Sequence, residues 1–170
     1  MARLRVDAAP PGEARELLRA CCGSRRWVEA MLARRPFGTL DALLAAARDA
    51  WFALDRADWL EAFADHPRIG DREALTQRFP ETRHLASREQ AGVDGASDDV
   101  LTALAEGNEA YEGRFGYIFI VCATGLTAQQ MLAMLRRRLE NDPLTELRVA
   151  AEEQAKITAL RLRKLSDVPA

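Results

Sequence analysis

Lysine is scarce in this chain of 170 residues, which carries Lys156 and Lys164 while its other basic residues are arginines. Catalysis through a lysine Schiff base therefore has few candidates. The chain also lacks an apolar run near the roughly 20 residues that cross a bilayer. Its first residues lack the apolar core of a signal peptide. We therefore expect a cytoplasmic protein with no membrane partner.

Cysteines are also few, and the chain carries no excess of positive charge. Cys21, Cys22 and Cys122 are an odd number without the spacing of a metal site, so we predict reduced and mostly buried thiols. A net charge of -2 gives no general attraction to nucleic acid. The arginines at residues 136–138 are better explained as the last turn of a helix than as a nucleic-acid patch. A small molecule or a protein is the expected partner.

Helix-forming patterns dominate what the chain does contain. Its length and its 48% of hydrophobic residues suit one domain over residues 1–170. Apolar residues recur at helical spacing in most segments, and four polar residues are predicted to begin helices: Ser24, Thr39, Asp55 and Thr127. We predict an all-α fold, a compact single-domain helical bundle of about seven to nine helices.

The most apolar run, residues 117–123, has the composition of a β-strand. A single strand without a partner would leave its backbone polar groups unpaired, and no second strand of similar quality is present. We expect instead a short extended or distorted helical segment that passes through the core.

Residues 65–92 form the polar stretch in which we expect the chemistry. His66 must close the helix before it, since Pro67 disfavours helical angles in the residue that precedes it. The dipole at a helix C-terminus favours the imidazolium form, and Pro67 with Gly70 can hold the ring at a fixed angle. His66 is therefore predicted as an acid–base group. The structural alternative is a histidine that only hydrogen-bonds a backbone carbonyl.

The far end of this stretch is predicted to begin a further helix. Ser87 and Gln90 have the spacing of a capping box, and Glu89 falls in the first turn. A Glu89 side chain that turns inward would accept a hydrogen bond from a ligand N–H group or carry a proton. Pointing outward, it would only complement the helix dipole. Gln90 is either a capping residue or a ligand contact.

Arg161 is the third candidate, and it lies in the last predicted helix. Ile157, Leu160 and Leu165 define the predicted apolar face, and Arg161 shares the i, i+4 row of Ile157 and Leu165. An arginine there must extend its head to water or pair with an anion inside. A guanidinium held inside would bind a carboxylate or an enolate-like oxygen through two N–H groups.

A metal site is the alternative to this carboxylate and guanidinium chemistry. His66 and His84 with nearby carboxylates could form one, but the sequence contains no HxxxH or HxxE spacing. A metal-dependent hydrolase would hold stoichiometric metal, which elemental analysis detects. We predict no metal ligand.

Five motifs together resemble the OHCU decarboxylases, enzymes of urate breakdown. They are HPRIGD at residues 66–71, SREQAG at 87–92, FGYIFIVC at 115–122, RRLENDP at 137–143 and ITALRL at 157–162. The resemblance covers nearly the whole chain in the right order. It implies an all-helical homodimer without a cofactor that decarboxylates 2-oxo-4-hydroxy-4-carboxy-5-ureidoimidazoline to S-allantoin.

The resemblance also implies roles for individual residues. The catalytic residues would be His66, Glu89 and Arg161, with Glu89 and Gln90 holding the nitrogens of the substrate. Further substrate contacts would come from these residues: Pro67, Ser87, Ile118, Phe119, Ile120 and Val121. The alternative is a helical homologue that keeps the pocket and binds a ligand without catalysis.

Overall fold

The computed structural model describes residues 3–67 and 98–167, and the described part of the chain contains eight α-helices and no β-strand. The predicted all-α class is therefore confirmed. In chain order the helices are α1 Arg5–Ala8, α2 Pro11–Cys21, α3 Arg25–Ala33, α4 Leu40–Phe52, α5 Arg56–Ala64, α6 Asp98–Phe115, α7 Ala128–Arg138 and α8 Pro143–Asp167.

The predicted helix starts are confirmed by the hydrogen bonds of their caps. The side chain of Ser24 accepts from the third residue of its helix at 3.3 Å, and that of Thr39 does so at 3.2 Å. Asp55 and Thr127 each form a full capping box. Each cap satisfies a backbone N–H that the helix itself cannot bond. Local sequence therefore determines where four of these helices begin.

The contacts divide the chain into two compact units, which are described separately. Unit 1 comprises Met1–Asp65 and Ala151–Ala170, and unit 2 comprises His66–Ala150. Helix α8 contributes its first eight residues to unit 2 and the remainder to unit 1. A single domain over the whole chain stays a prediction.

Unit 1 is built around large buried side chains whose polar atoms are bonded. Trp27 and Trp51 are 0% and 2% exposed. The indole N–H of Trp27 donates to the carbonyl of Ala47 at 3.0 Å, and that of Trp51 donates to the carbonyl of Ala151 at 2.9 Å. The rings therefore fill the core without leaving an unpaired N–H. Other fully buried residues of this unit are Leu18, Met31, Leu43, Phe63 and Leu162.

Unit 2 is built around the packing of α6 against α7. Its cluster of buried residues includes Leu104, Tyr111, Phe119, Met131 and Leu135. A Cβ atom at residue 107, which is a glycine, would lie 2.5 Å from Cδ2 of Leu135. The missing side chain therefore permits the close approach of the two helices.

The apolar run after α6 is extended, one of the two forms predicted for it. Gly116 adopts a φ of 83°, which glycine reaches readily, and it ends α6. Residues 118–123 then form neither helix nor strand. Alternate side chains, those of Tyr117, Phe119, Val121 and Ala123, pack against the unit 2 cluster. This period of two is that of an extended chain.

The buried face of α8 differs from the predicted one. Ile157, Leu160 and Leu165 are only half-buried. The buried i, i+4 row instead comprises Glu146, Ala150, Gln154, Thr158 and Leu162. Polar members of this row are tolerated because hydrogen bonds satisfy them, and hydrophobic periodicity cannot register such partners.

Candidate active site

His66 lies just beyond the C-terminus of α5, as predicted from Pro67. The helix ends at Ala64, and the backbone N–H of the C-cap residue Asp65 bonds to the carbonyl of Ala62 at 3.2 Å. His66 and Pro67 are both half-buried. The end of α5 therefore fixes the backbone that leads into the histidine.

Gly23 allows the end of α5 to approach the short segment that follows α2. A Cβ atom at Gly23 would lie 2.7 Å from Cβ of Asp65 and 2.9 Å from its Oδ2. These distances are too short for any other residue unless the backbone shifts. No sequence pattern indicates this contact, because the two residues are far apart along the chain.

Arg161 is half-buried and contacts the C-terminus of α2. Its Nη1 donates to the carbonyl oxygen of Cys21 at 3.4 Å, and the hydroxyl of Thr158 donates to the same oxygen at 3.4 Å. Gln154 in turn donates to that hydroxyl at 3.0 Å. The carbonyl end of a helix carries partial negative charge, so it suits a guanidinium. Arg161 thus has a polar partner in the protein and keeps part of its surface exposed.

The two cysteines at the end of α2 are unsuited to nucleophilic chemistry. Burial raises the pKa of Cys21 to about 11 and that of Cys22 to about 12, although the nearby Arg161 opposes both shifts. Both thiols therefore stay protonated at neutral pH. Cys21, Cys22 and Cys122, all within the described residues, form no disulfide, and Cys122 is half-buried. The prediction of reduced and mostly buried thiols is confirmed.

The extended segment of residues 118–121 has a buried arginine beside it. Phe119 and Ile120 are 2% exposed, Val121 is 5% exposed and Ile118 is half-buried. Nη1 of Arg138 donates to the carbonyl oxygen of Ile120 at 2.7 Å. The guanidinium carbon also lies 4.4 Å from the ring centre of Phe119, a cation–π distance.

A buried ion pair holds this arginine. Nε of Arg138 donates to Oε1 of Glu146 at 2.7 Å, and Nη2 lies 2.7 Å from the same oxygen. The hydroxyl of Tyr111 donates to Oε1 at 2.5 Å, and the amide of Asn141 donates to Oε2 at 2.9 Å. Burial, followed by the bond to Glu146, raises the pKa of Tyr111 far above its usual range. The four side chains form one network beside residues 118–121.

Arg138 was predicted only as part of a basic last turn. Its place in that turn is confirmed, but its side chain is 7% exposed, whereas Arg136 and Arg137 are exposed. One signal was available, since Arg138 lies three residues after Leu135 and seven after Met131, on the buried face of α7. Its partner Glu146 lies in another helix and could not be found by spacing.

Three predicted site residues, Ser87, Glu89 and Gln90, lie outside the described residues, as does His84 of the alternative metal site. Their roles stay predictions. His66, Pro67 and residues 118–121 belong to unit 2, while Arg161 belongs to unit 1.

The described ranges contain no group of three or more histidine, cysteine or acidic residues placed to hold a metal. Over the same ranges none of the helices has the length and hydropathy of a membrane span.

Comparison with known proteins decides the family. A family model described as OHCU decarboxylase matches residues 7–163. The chain belongs to the OHCU decarboxylase family. The resemblance inferred from the five sequence motifs is therefore confirmed, and it extends over the helices of both units.

Individual OHCU decarboxylase relatives agree with this assignment. The uric acid degradation bifunctional protein TTL of Arabidopsis thaliana is 40% identical over 148 residues, which cover 86% of this chain and 45% of that protein. The chain thus spans less than half the length of this relative. The 2-oxo-4-hydroxy-4-carboxy-5-ureidoimidazoline decarboxylase of Haloferax volcanii is 29% identical over 137 residues, covering 80% of this chain and 79% of that protein.

A solved OHCU decarboxylase structure matches the fold closely. The crystal structure of OHCU decarboxylase in the presence of (S)-allantoin superposes with a TM-score of 0.76 at 39% sequence identity. The match covers 88% of this chain and 96% of the solved chain. Fold and sequence therefore point to the same family.

Proposed function

We propose that this chain decarboxylates 2-oxo-4-hydroxy-4-carboxy-5-ureidoimidazoline to (S)-allantoin in urate degradation, as a carboxy-lyase that acts on a small molecule. The observation that carries the proposal is its 39% identity over 96% of an OHCU decarboxylase whose crystal structure was determined in the presence of (S)-allantoin. Relatives named for the same decarboxylation or for uric acid degradation support it.

The chemistry sets three tasks for the protein. Loss of carbon dioxide breaks the bond between the carboxylate and a ring carbon next to an unsaturated C=N group. The electron pair left behind is delocalised by the ring until the carbon takes up a proton. The protein must orient the breaking bond, stabilise the developing negative charge and deliver one proton to one face.

Each of the predicted residues performs part of these tasks. His66 steers the carboxylate or hydroxyl of the substrate and delivers the proton, which suits a half-buried imidazole at the end of α5. Glu89 and Gln90 bind the nitrogens of the substrate. Arg161 stabilises the anion, because its guanidinium has further N–H donors besides the one directed at the carbonyl of Cys21.

The remaining predicted contacts complete the proposed set of substrate-binding residues. Pro67, Ser87 and the backbone of residues 118–121 hold the substrate in place. We propose that the active protein is a homodimer, which the resemblance to the family implies, and that it acts in the cytoplasm. Light scattering on the purified chain tests the dimer, which requires twice the mass of one chain.

A stereochemical assay tests the proposed activity. Purified protein is mixed with freshly generated substrate, and circular dichroism at wavelengths where allantoin absorbs follows the product. Spontaneous decay gives racemic product, so a growing signal of one sign requires catalysis. Binding of (S)-allantoin without such a signal would favour the non-catalytic homologue.

The same assay tests the histidine and the arginine. His66→Asn should lower kcat by about 10²- to 10⁴-fold, as loss of a proton-transfer group does. Arg161→Gln should lower kcat/KM, whereas Arg163→Gln, an exposed position on the same helix, should leave it unchanged. Wild-type turnover and a single enantiomer from His66→Asn would refute the histidine role.

A further inference from the structure

The orientation of the peptide groups in residues 118–121 must be set by contacts outside regular secondary structure. These residues lie outside helices and strands, so no regular ladder of hydrogen bonds orients their peptide groups. The packing of Phe119 and Val121 in the unit 2 cluster fixes their side chains. A peptide group between two such side chains can still rotate while the side chains stay in place. Side-chain packing alone therefore leaves the peptide direction open.

Arg138 fixes one of these peptide groups. Its Nη1 donates to the carbonyl of Ile120 at 2.7 Å, a short bond for a charged donor. Because the peptide group is planar and trans, the N–H of Val121 must point the opposite way. One bond thus sets the direction of both an acceptor and a donor in the segment.

The arginine is itself held rigidly. Its guanidinium is bonded to Glu146 and lies over the ring of Phe119, and Glu146 also accepts from Tyr111 and Asn141. Stability alone is a weak reason for such a network, because well-packed apolar residues often replace a buried ion pair without loss. A planar donor in a fixed direction is what apolar residues cannot supply.

We propose that Arg138 is a positioning residue for the substrate, acting through the peptide group between Ile120 and Val121. The inference rests on the proposed function, in which the backbone of residues 118–121 contacts the substrate. Glu146 supports the role by holding the guanidinium in one orientation. Loss of the bond to Ile120 then weakens the binding of the substrate and of the transition state equally. Such a loss raises KM and leaves kcat nearly unchanged.

The test compares Arg138→Lys with Tyr111→Phe in the full chain. Lysine keeps a charge for Glu146 but loses the planar fork that reaches two acceptors at once. Phenylalanine removes a different bond to the same carboxylate and leaves the bond to Ile120 intact. We expect Arg138→Lys to raise KM about tenfold with kcat nearly unchanged, and Tyr111→Phe to leave KM within about twofold of wild type.

A spectroscopic signal follows the bond independently of turnover. The backbone ¹⁵N resonance of Val121 should shift in Arg138→Lys and not in Tyr111→Phe, because the carbonyl of Ile120 belongs to the same peptide group. Where Arg138→Lys does not fold, the double variant Arg138→Gln with Glu146→Gln removes both charges and carries the same expectation.

Two results would overturn the positioning role. One is an unchanged KM in the arginine variant despite a shifted Val121 resonance, and the other is an equal rise of KM in Tyr111→Phe. An inactive wild-type protein whose Val121 resonance still responds to the arginine substitution would instead refute the proposed function. The two failures are therefore distinguishable.

Discussion

Removing the carboxylate of Glu146 should destabilise the protein strongly. This side chain is fully buried and has three donor residues, Arg138, Tyr111 and Asn141. Glu146→Ala leaves the guanidinium of Arg138 buried without its counter-charge. Stranding one partner of a buried ion pair costs about 3–5 kcal/mol. This is a large part of the roughly 5–15 kcal/mol that stabilises a typical domain.

A matched control exists on the same helix. Glu152 in α8 forms a two-point ion pair with Arg48, with both N–O distances at 3.2 Å, but the side chains are 38% and 59% exposed. Such an exposed pair contributes about 0.2–1 kcal/mol. Glu152→Ala should therefore cost far less than Glu146→Ala, although the residue types and the helix are the same.

The assay is urea unfolding followed by far-ultraviolet circular dichroism and by tryptophan fluorescence. All three tryptophans lie in unit 1, so coincident transitions would show that a change in unit 2 destabilises the chain as a whole. In thermal unfolding, the lost 3–5 kcal/mol should lower Tm by roughly 6–20 °C, at about 2–4 °C per kcal/mol for a chain of this size.

The sharpest outcome comes from a double substitution. Adding Arg138→Met to Glu146→Ala removes the stranded charge, so the double variant should be more stable than Glu146→Ala alone. A double variant less stable than the single one would refute this account of the buried pair. Equal losses from Glu146→Ala and Glu152→Ala would do the same.

Two further predictions concern the glycines and the thiols. Gly23→Ala should destabilise the protein by about 1–3 kcal/mol, because its methyl group would meet the side chain at the C-cap of α5. Gly113→Ala, which has open space around it in α6, should stabilise the protein by about 0.5–1 kcal/mol. Urea unfolding of both variants measures the difference. A thiol reagent at pH 8 should modify half-buried Cys122 well before Cys21 and Cys22, and equal rates for all three would contradict the burial. Because burial raises the pKa values of the latter two above their ordinary 9.0, the native state holds these protons more tightly than the unfolded chain. Stability should therefore be complete below pH 9 and fall as the pH rises towards about 11, which unfolding at several pH values would show.

The parts of the fold that sequence predicted well are those set by a few neighbouring residues. Ser24 and Thr127 cap helices because each lies three positions before the residue whose backbone N–H donates to its side chain. The end of α5 before His66 follows from the angles that Pro67 excludes. The extended form of residues 118–121 was one of two expected alternatives.

The parts that sequence missed depend on partners distant along the chain. Thr158 can be buried in α8 because its hydroxyl donates a hydrogen bond to the carbonyl of Cys21, 137 residues away. Glu146 is buried because Arg138 and Tyr111 meet it from other helices. A hydrophobic pattern scores these residues as surface positions, since it records the polarity of a residue and not its partners. The position of Glu89 and Gln90 at a predicted helix start made them candidates, but their substrate-binding roles came only from the family resemblance.

The contact between residue 107 and Leu135 has a consequence for how this sequence can vary. A side chain at Gly107 would occupy the space that Cδ2 of Leu135 now fills, so the two positions share one fixed volume. An alanine or serine at 107 is compatible with the same helix spacing only when the end of the Leu135 side chain moves or residue 135 becomes smaller. Among homologous sequences these two positions should therefore change together, although 28 residues separate them.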